Sequence, residues 1–202
     1  LIIKSIIKKK RIEINRIIEN EIDPNVTKNL LDVGTTSSLE NHENQIIEYF
    51  HNKLKISCLS NLSLEELRLK YRNLLTYIGD GRAMSFEDDS FDIVTSSATI
   101  EHVGNFKNQI KFIQECFRVS KHKIFITTPN RYYPIELHTK IPLIHFLPKN
   151  IHRKILHLLG DNFLSLEENL NLLSKNDILK ICQILEIKKF KIEEIKLFGF
   201  VS

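Results

Sequence analysis

Ile3, Ile6, Ile7, Ile14, Ile17 and Ile18 recur near helical spacing, with Lys, Arg and Glu between them. That pattern predicts an amphipathic helix over 2–22, ended by Asp23-Pro24. A short apolar run, Asn29–Val33, then reads as a first strand. Asn41–Lys53 reads as a helix with Ile46, Ile47 and Phe50 inward, and Lys55–Leu59 as a second strand. Leu64–Leu75 is helical, Leu74–Ile78 a third short strand, and Phe91–Ser96 a fourth, buried on both faces by its composition. Asn105–Arg118 follows as a helix with Phe106, Ile110, Ile113 and Phe117 inward, and Lys123–Thr128 as a fifth strand. Strand–helix alternation over this length predicts a parallel sheet with right-handed crossovers.

The rhythm breaks after Thr128. Pro129, Pro134, Pro142 and Pro148 punctuate an aromatic, His-rich segment over about 129–165. Lys149–Leu159 reads as a basic amphipathic helix, Ser174–Leu185 as a further helix, and Lys188–Phe200 as a strand long enough for a hairpin arm. Without repeats, low-complexity tracts or a linker, residues 1–202 read as one domain.

Composition narrows the class. With 42% hydrophobic and 27% charged residues, the chain is of the soluble globular kind. A net charge of +4 is too weak to argue for nucleic acid. Cys58, Cys116 and Cys182 are odd in number and far apart, which gives neither a disulfide framework nor a zinc pattern and fits a reducing cytoplasm. The first apolar run precedes its positive cluster, the wrong order for a signal peptide, and no run approaches the roughly 18 apolar residues of a membrane span.

Chemistry concentrates at strand ends. Leu30-Leu31-Asp32-Val33-Gly34-Thr35 is a strand closing in Asp-x-Gly, where glycine permits a tight turn and close ligand approach. Gly79-Asp80-Gly81 sets a second carboxylate at the tip of the third strand. Two acid-tipped strand ends at this spacing suggest a nucleoside pocket at the carboxyl edge of a parallel sheet. Each element also has a plain reading: a strand-to-helix turn capped by Ser or Thr, and a Gly-Asp-Gly turn. After the fourth strand, Ser96-Ser97-Ala98 leaves room, and Glu101-His102 lies beside it. His102 is a candidate general base, given an unperturbed pKa near 6.5; the plain alternative is a helix start held by Glu101 with His102 packed beneath it. After the fifth strand, Asn130, Arg131, Tyr132 and His138 are candidates for holding a polar or anionic acceptor, or a proline-rich cap over the core.

These stretches together resemble the class I S-adenosylmethionine-dependent methyltransferases, in particular a methyltransferase type 11-like subgroup with DVGxTS, GDxRxLPF, EHV and TPNRxxPxExHT motifs. The resemblance covers roughly residues 25–150. It implies a Rossmann-like three-layer α/β sandwich of order 3-2-1-4-5-7-6, the last strand missing or incomplete since the chain ends at Ser202. It implies S-adenosyl-L-methionine as cofactor, held by Asp32, Gly34, Thr35, Ser60, Asp80, Gly81, Arg82 and Ser97. Asp80 would accept from the adenine amine, and the Gly81 N–H would face the ring. The chain departs from the family in its glycine-poor first loop, and Ser60 stands near where an acid grips the ribose. Asn130, Arg131, Tyr132 and His138 would face the acceptor, in an acceptor-cap insertion of a single methyltransferase domain. A few relatives hold a divalent cation near such an EH pair; no further acid–His cluster accompanies it in the sequence, so no metal is expected.

The reaction implied is methyl transfer to a small-molecule or glycan/lipid-linked acceptor. The alternative is a degenerate nucleoside-binding or scaffold subunit without turnover. A nicotinamide oxidoreductase would want GxGxxG after the first strand and an acid ending the second, and neither is present. No Asn/Asp-Pro-Pro-Tyr motif or strong basic face argues for nucleic acid. The Ile151, Ile155, Leu158 and Leu159 stripe, opposite His152, Arg153, Lys154 and His157, is expected to pack a solvated helix on the sheet, peripheral membrane contact being the weaker reading.

Overall fold

Leu30, Leu31 and Asp32 of the first strand lie level with Ile93, Val94 and Thr95 of the fourth, and Val33 lies level with Leu59 of the second. This pairing organises a computed structural model that describes residues 2–40, 43–133, 138–139, 141, 143–197 and 200–201. The elements are α1 (Ile2–Glu21), β1 (Asn29–Val33), α2 (Gln45–Phe50), β2 (Lys55–Ser60), α3 (Glu65–Lys70), β3 (Leu75–Ile78), β4 (Phe91–Ser97), α4 (Phe106–Val119) and β5 (Ser120–Thr127). They are followed by α5 (Lys149–Leu158), α6 (Lys175–Ile184), β6 (Lys196–Leu197) and β7 (Phe200–Val201). No described helix is long and apolar enough to cross a membrane.

The chain divides into two compact units, residues 1–97 with 112–126, and residues 98–111 with 127–202. The first unit holds the five-stranded sheet, in the order β3-β2-β1-β4-β5. β1 pairs in parallel with β2 and β4, and β2 in parallel with β3. This is the mostly parallel Rossmann-like arrangement expected from the strand–helix alternation of the first 130 residues. Leu30, Leu31, Val33, Ile56, Cys58, Ile93 and Val94 are buried, because a parallel sheet covered on both faces wants continuous apolar strands. Ile46, Ile47 and Phe50 of α2 and Ile18 of α1 pack into the same core. Asn15 also turns inward from α1, and its side-chain N–H donates to the Gln45 carbonyl at 3.2 Å.

Several boundaries differ from the periodic reading. The helix expected over Asn41–Lys53 is confined to Gln45–Phe50, because the Asn44 side chain is engaged with the preceding loop, donating to the Thr36 and Ser38 carbonyls at 3.0 and 2.9 Å. Residues 41 and 42 lie outside the described set. The helix expected over Leu64–Leu75 ends at Lys70, where Tyr71 leaves the helical region at φ −121°, ψ 85°. On α4, Phe117 is 39% exposed, and the buried face is formed by Gln109, Phe112, Ile113, Cys116 and Val119. The long terminal strand expected over Lys188–Phe200 is reduced to the short antiparallel pair β6–β7, separate from the five-stranded sheet. In its Lys- and Glu-rich lead, 188–194, Phe190 stays 50% exposed.

In the second unit, α6 begins at a capping box. Ser174 Oγ accepts the Asp177 N–H at 3.2 Å, and Asp177 Oδ2 accepts the Ser174 N–H at 2.9 Å. Ile100, Tyr133, Leu156, Leu170, Leu172, Leu173, Ile181 and Cys182 are among the buried residues of this unit. Asn171 ties the unit together. Its N–H donates to the Glu101 carbonyl at 2.7 Å, its amide to the Gly104 carbonyl at 2.9 Å, and its own carbonyl accepts from Gln109 at 2.7 Å. On α5 the expected apolar stripe is not the buried face. His152 and Leu156 are buried, while Leu158 is 83% and Leu159 62% exposed. Three of the four residues assigned to the polar face, Arg153, Lys154 and His157, stay outside the buried set.

Candidate functional site

Every residue expected to hold the donor falls in the first unit, at the carboxyl ends of four adjacent strands. β1 delivers Asp32 and Gly34, β2 delivers Ser60, β3 leads to Asp80, and β4 ends at Ser97. The register aligns them, since Asp32 pairs with both Cys58 and Thr95, and Ser60 with Ile78.

The turn after β1 is closed by its own neighbours. Gly34 sits at φ +89°, a left-handed conformation that glycine adopts without penalty. Its N–H donates to the Leu59 carbonyl at 2.8 Å, and the Thr35 N–H donates to the same oxygen at 3.3 Å. Asp32 is buried, and its two carboxylate oxygens accept from the Thr35 and Thr95 hydroxyls at 2.8 and 2.9 Å. Burial pushes the Asp32 pKa up, against those two hydrogen bonds. Asp32 and Thr35 thus hold each other. Gln45 donates from its side chain to Ser97 Oγ at 2.9 Å, which fixes the end of β4 against the start of α2. Ser60 is buried, and its hydroxyl oxygen accepts the Leu62 N–H at 3.2 Å.

The β3 tip is the most organised part. Asp80 Oδ1 accepts the Arg82 backbone N–H at 2.8 Å, and the Arg82 guanidinium donates from Nε at 2.9 Å and from Nη2 to Oδ2 at 2.7 Å. Arg82 holds the Asp80 carboxyl below its usual range, chiefly through these side-chain hydrogen bonds. Arg82, expected to touch the donor, is in this geometry the residue that orients Asp80. Asp80 remains 48% exposed, with acceptor capacity to offer. Gly81 is the point of closest packing: a Cβ there would lie 2.7 Å from the Phe112 ring and 3.0 Å from Val33 Cγ1.

Behind this tip stands a clamp that motif reading missed. Arg118 donates to the Met84 and Phe86 carbonyls at 2.9 and 2.7 Å, and pairs with Glu115 and Asp88. Glu115 in turn accepts the Met84 N–H at 2.7 Å. One arginine therefore fixes the loop between Asp80 and β4. The only sequence signal was an Arg–Glu pair three residues apart at a helix end, which is common on any helix.

The candidate acceptor residues all fall in the second unit. Glu101 and His102 lie on a single 3₁₀ turn, Ile100–His102. Glu101 is fully buried, and Oε2 accepts the Thr128 hydroxyl at 2.9 Å. Burial pushes its pKa up, against the neighbouring His102 and His138. His102 is exposed; Nδ1 lies 2.6 Å from the Asn169 carbonyl and Nε2 3.1 Å from His138 Nε2. His138 also approaches Glu101 Oε1 at 3.9 Å. The EH pair thus has a further partner, which sequence spacing alone did not reveal.

Asn130 turns its side-chain oxygen onto the Tyr132 N–H at 3.0 Å, leaving Tyr132 57% exposed. Arg131 donates to the His145 and Leu147 carbonyls at 3.2 and 2.7 Å. It lines a shallow cleft with Lys149, His152, Arg153 and Asn171. Lys149 donates to Asn171 Oδ1 at 2.6 Å, and burial pushes its pKa down. Residues 134–137, 140 and 142 of the expected acceptor cap lie outside the described residues.

Residues 31–126 match the family model described as a methyltransferase domain. A search of curated proteins finds no match. Among solved structures, an S-adenosylmethionine-dependent methyltransferase from Methanosarcina mazei aligns with a TM-score of 0.59 at 16% identity, covering 91% of each chain. A methyltransferase of Bacillus halodurans, named as putative, aligns at 0.55 and 18% identity, over 79% of this chain and 62% of its own. A phosphoethanolamine N-methyltransferase of Haemonchus contortus, solved with phosphoethanolamine and S-adenosylhomocysteine, aligns at 0.50 and 12% identity, over 66% of this chain and 29% of its own. The chain thus spans less than two thirds of the length of two of these three. At such identities the likeness is one of fold. Over residues 31–126 the chain is thus similar to a methyltransferase domain, and its sheet order β3-β2-β1-β4-β5 is Rossmann-like.

Proposed function

We propose that this chain is an S-adenosylmethionine-dependent methyltransferase that acts on a small-molecule or glycan/lipid-linked acceptor. The observation that carries the reading is the Asp80 carboxylate, held bidentate by Arg82 at the tip of β3 and still exposed. The residues fit the donor in part. Asp80 offers a fixed acceptor for an exocyclic amine, and the glycines on both sides let the backbone that carries it pack closely on Leu59, Phe112 and Val33. Ser60 replaces the usual ribose acid with a hydroxyl, and the first loop offers Thr and Ser side chains in place of glycines.

When bound, S-adenosylmethionine supplies an activated sulfonium methyl for in-line transfer to an oxygen, nitrogen or carbon nucleophile. The protein's task is then mainly positioning and exclusion of water. Thr95 and Thr35 lock Asp32, Gln45 locks Ser97, and Arg118 locks the loop that follows Asp80. Arg131 and Lys149 favour an acceptor that carries an anionic group, since both line one cleft of the second unit, where Arg153 is paired with Glu167 at 2.8 Å.

A second reading, a nucleoside-binding subunit without turnover, draws on the Gly34 and Thr35 N–H groups, which are already engaged by the Leu59 carbonyl. The two separate in one assay. The full chain is incubated with methyl-labelled donor and a cell extract, and label is followed into phosphate-bearing glycan and lipid precursors. Label in that fraction, lost in Arg131→Ala with donor affinity unchanged, supports the enzyme. Donor binding with no labelled product from any extract supports the subunit.

A further inference from the structure

Glu101, His102 and His138 present one carboxylate oxygen and two imidazole nitrogens within 4.8 Å of one another. We propose that they form a binding site for a divalent transition metal ion, with zinc the best match.

Three observations carry this. The first is the tautomer of His102. The Asn169 carbonyl, 2.6 Å from Nδ1, can only accept, so Nδ1 carries the proton and a neutral His102 presents its lone pair at Nε2. A carbonyl behind the far ring nitrogen is the usual support of a metal-binding histidine. The second is the direction of that lone pair. Nε2 of His102 meets Nε2 of His138 at 3.1 Å. Metal–nitrogen bonds of about 2.0–2.1 Å at tetrahedral angles put two ligand nitrogens roughly 3.3 Å apart. The third is Glu101. Thr128 fixes Oε2 at 2.9 Å, while Oε1 is buried, has no hydrogen-bond donor among the described residues, and lies 3.9 Å from His138 Nε2. A fully buried carboxylate with one unsatisfied oxygen is costly unless a cation compensates it.

The donor set decides the class of ion. Two imidazoles and one carboxylate suit zinc and its transition-metal neighbours, whereas calcium and magnesium prefer oxygen ligands. Three protein ligands leave a coordination position open. The site gives His102 Nε2 a ligand's role in place of a base's, and it stands independently of methyl transfer.

The test uses the full chain, tag removed, stripped with chelator and then titrated with zinc against a chromophoric chelator. One equivalent per chain is expected. His138→Ala, at a half-buried position that tolerates truncation, should lose more than the roughly 10–100-fold that removal of an outer-shell partner costs. Glu101→Gln should weaken binding with melting behaviour checked separately, since this residue is buried. Cobalt substitution reads the ligand type: a spectrum of nitrogen and oxygen ligation without a thiolate band is expected, because Cys58, Cys116 and Cys182 are buried elsewhere. No uptake by the unaltered chain, undiminished uptake by His138→Ala, or a thiolate band would each overturn the assignment.

Discussion

Asn29 and Asp92 clamp the entries of two neighbouring strands to each other. The Asn29 N–H donates to Asp92 Oδ2 at 3.0 Å, and the Asp92 N–H donates to Asn29 Oδ1 at 2.6 Å. The Lys28 N–H adds a 2.7 Å bond to the same carboxylate oxygen. Asp92→Ala leaves two backbone donors at the start of β1 without an acceptor and should cost about 1–3 kcal/mol. Burial raises the Asp92 pKa, but the Lys28 and Asn29 N–H groups outweigh it, and the folded value lies below the usual one. A depressed carboxylate contributes stability that is present above its unfolded pKa, near 4, and lost as pH falls through the folded value. Denaturation of the parent and of Asp92→Asn at pH 7 and pH 3 checks this. The gap between them should narrow at the lower pH, with donor affinity at pH 7 unchanged.

Arg118 should matter more than any motif residue for the shape of the donor edge. Arg118→Ala removes charge-assisted bonds to Glu115 and Asp88 and releases the Met84 and Phe86 carbonyls. A loss of about 2–3 kcal/mol is expected, with faster amide exchange confined to the loop between Asp80 and β4. Arg118→Lys should rescue only part of it, because an ammonium lacks the planar fork that spans two carbonyls and two carboxylates. Full rescue by lysine would mean that charge alone acts here.

Strands β1, β2 and β4 were legible because each is a largely apolar run, and Leu30, Ile56 and Ile93 needed no tertiary information to be read as core. The order of acid-tipped ends was legible for the same reason. The start of helix α2 was not, because Asn44 looks like any polar helix residue until its amide is seen closing the loop at Ser38. The pairing of Arg82 with Asp80 was not legible, because a spacing of two residues does not say which group a guanidinium reaches. The buried face of helix α5 was not legible, because the burial of His152 depends on what surrounds it, which periodicity does not encode. Residues 101, 102 and 138 come together only through the turn at Ile100–His102 and the segment after β5, so the cluster has no spacing signature.

Gly81 offers a test of packing at the site. A Cβ there would press on the buried Phe112 ring at 2.7 Å and on Val33 at 3.0 Å. Gly81→Ala should cost about 1–3 kcal/mol by overpacking. Because the displaced backbone carries Asp80, donor affinity should fall along with the melting temperature. A variant as stable as the parent would show that Phe112 yields, and the close approach would then have no energetic weight.

The central claim is that the carboxyl edge of the sheet binds a nucleoside donor and that Asp80 reads its amine. Calorimetric titration of S-adenosylhomocysteine into the full chain tests it most directly. The account predicts one site per chain, weakened by about ten- to a hundredfold in Asp80→Ala, the worth of one charge-assisted hydrogen bond of roughly 1.5–3 kcal/mol, with the melting temperature little changed. Absence of binding at millimolar ligand, or equal affinity in the parent and Asp80→Ala, would contradict it.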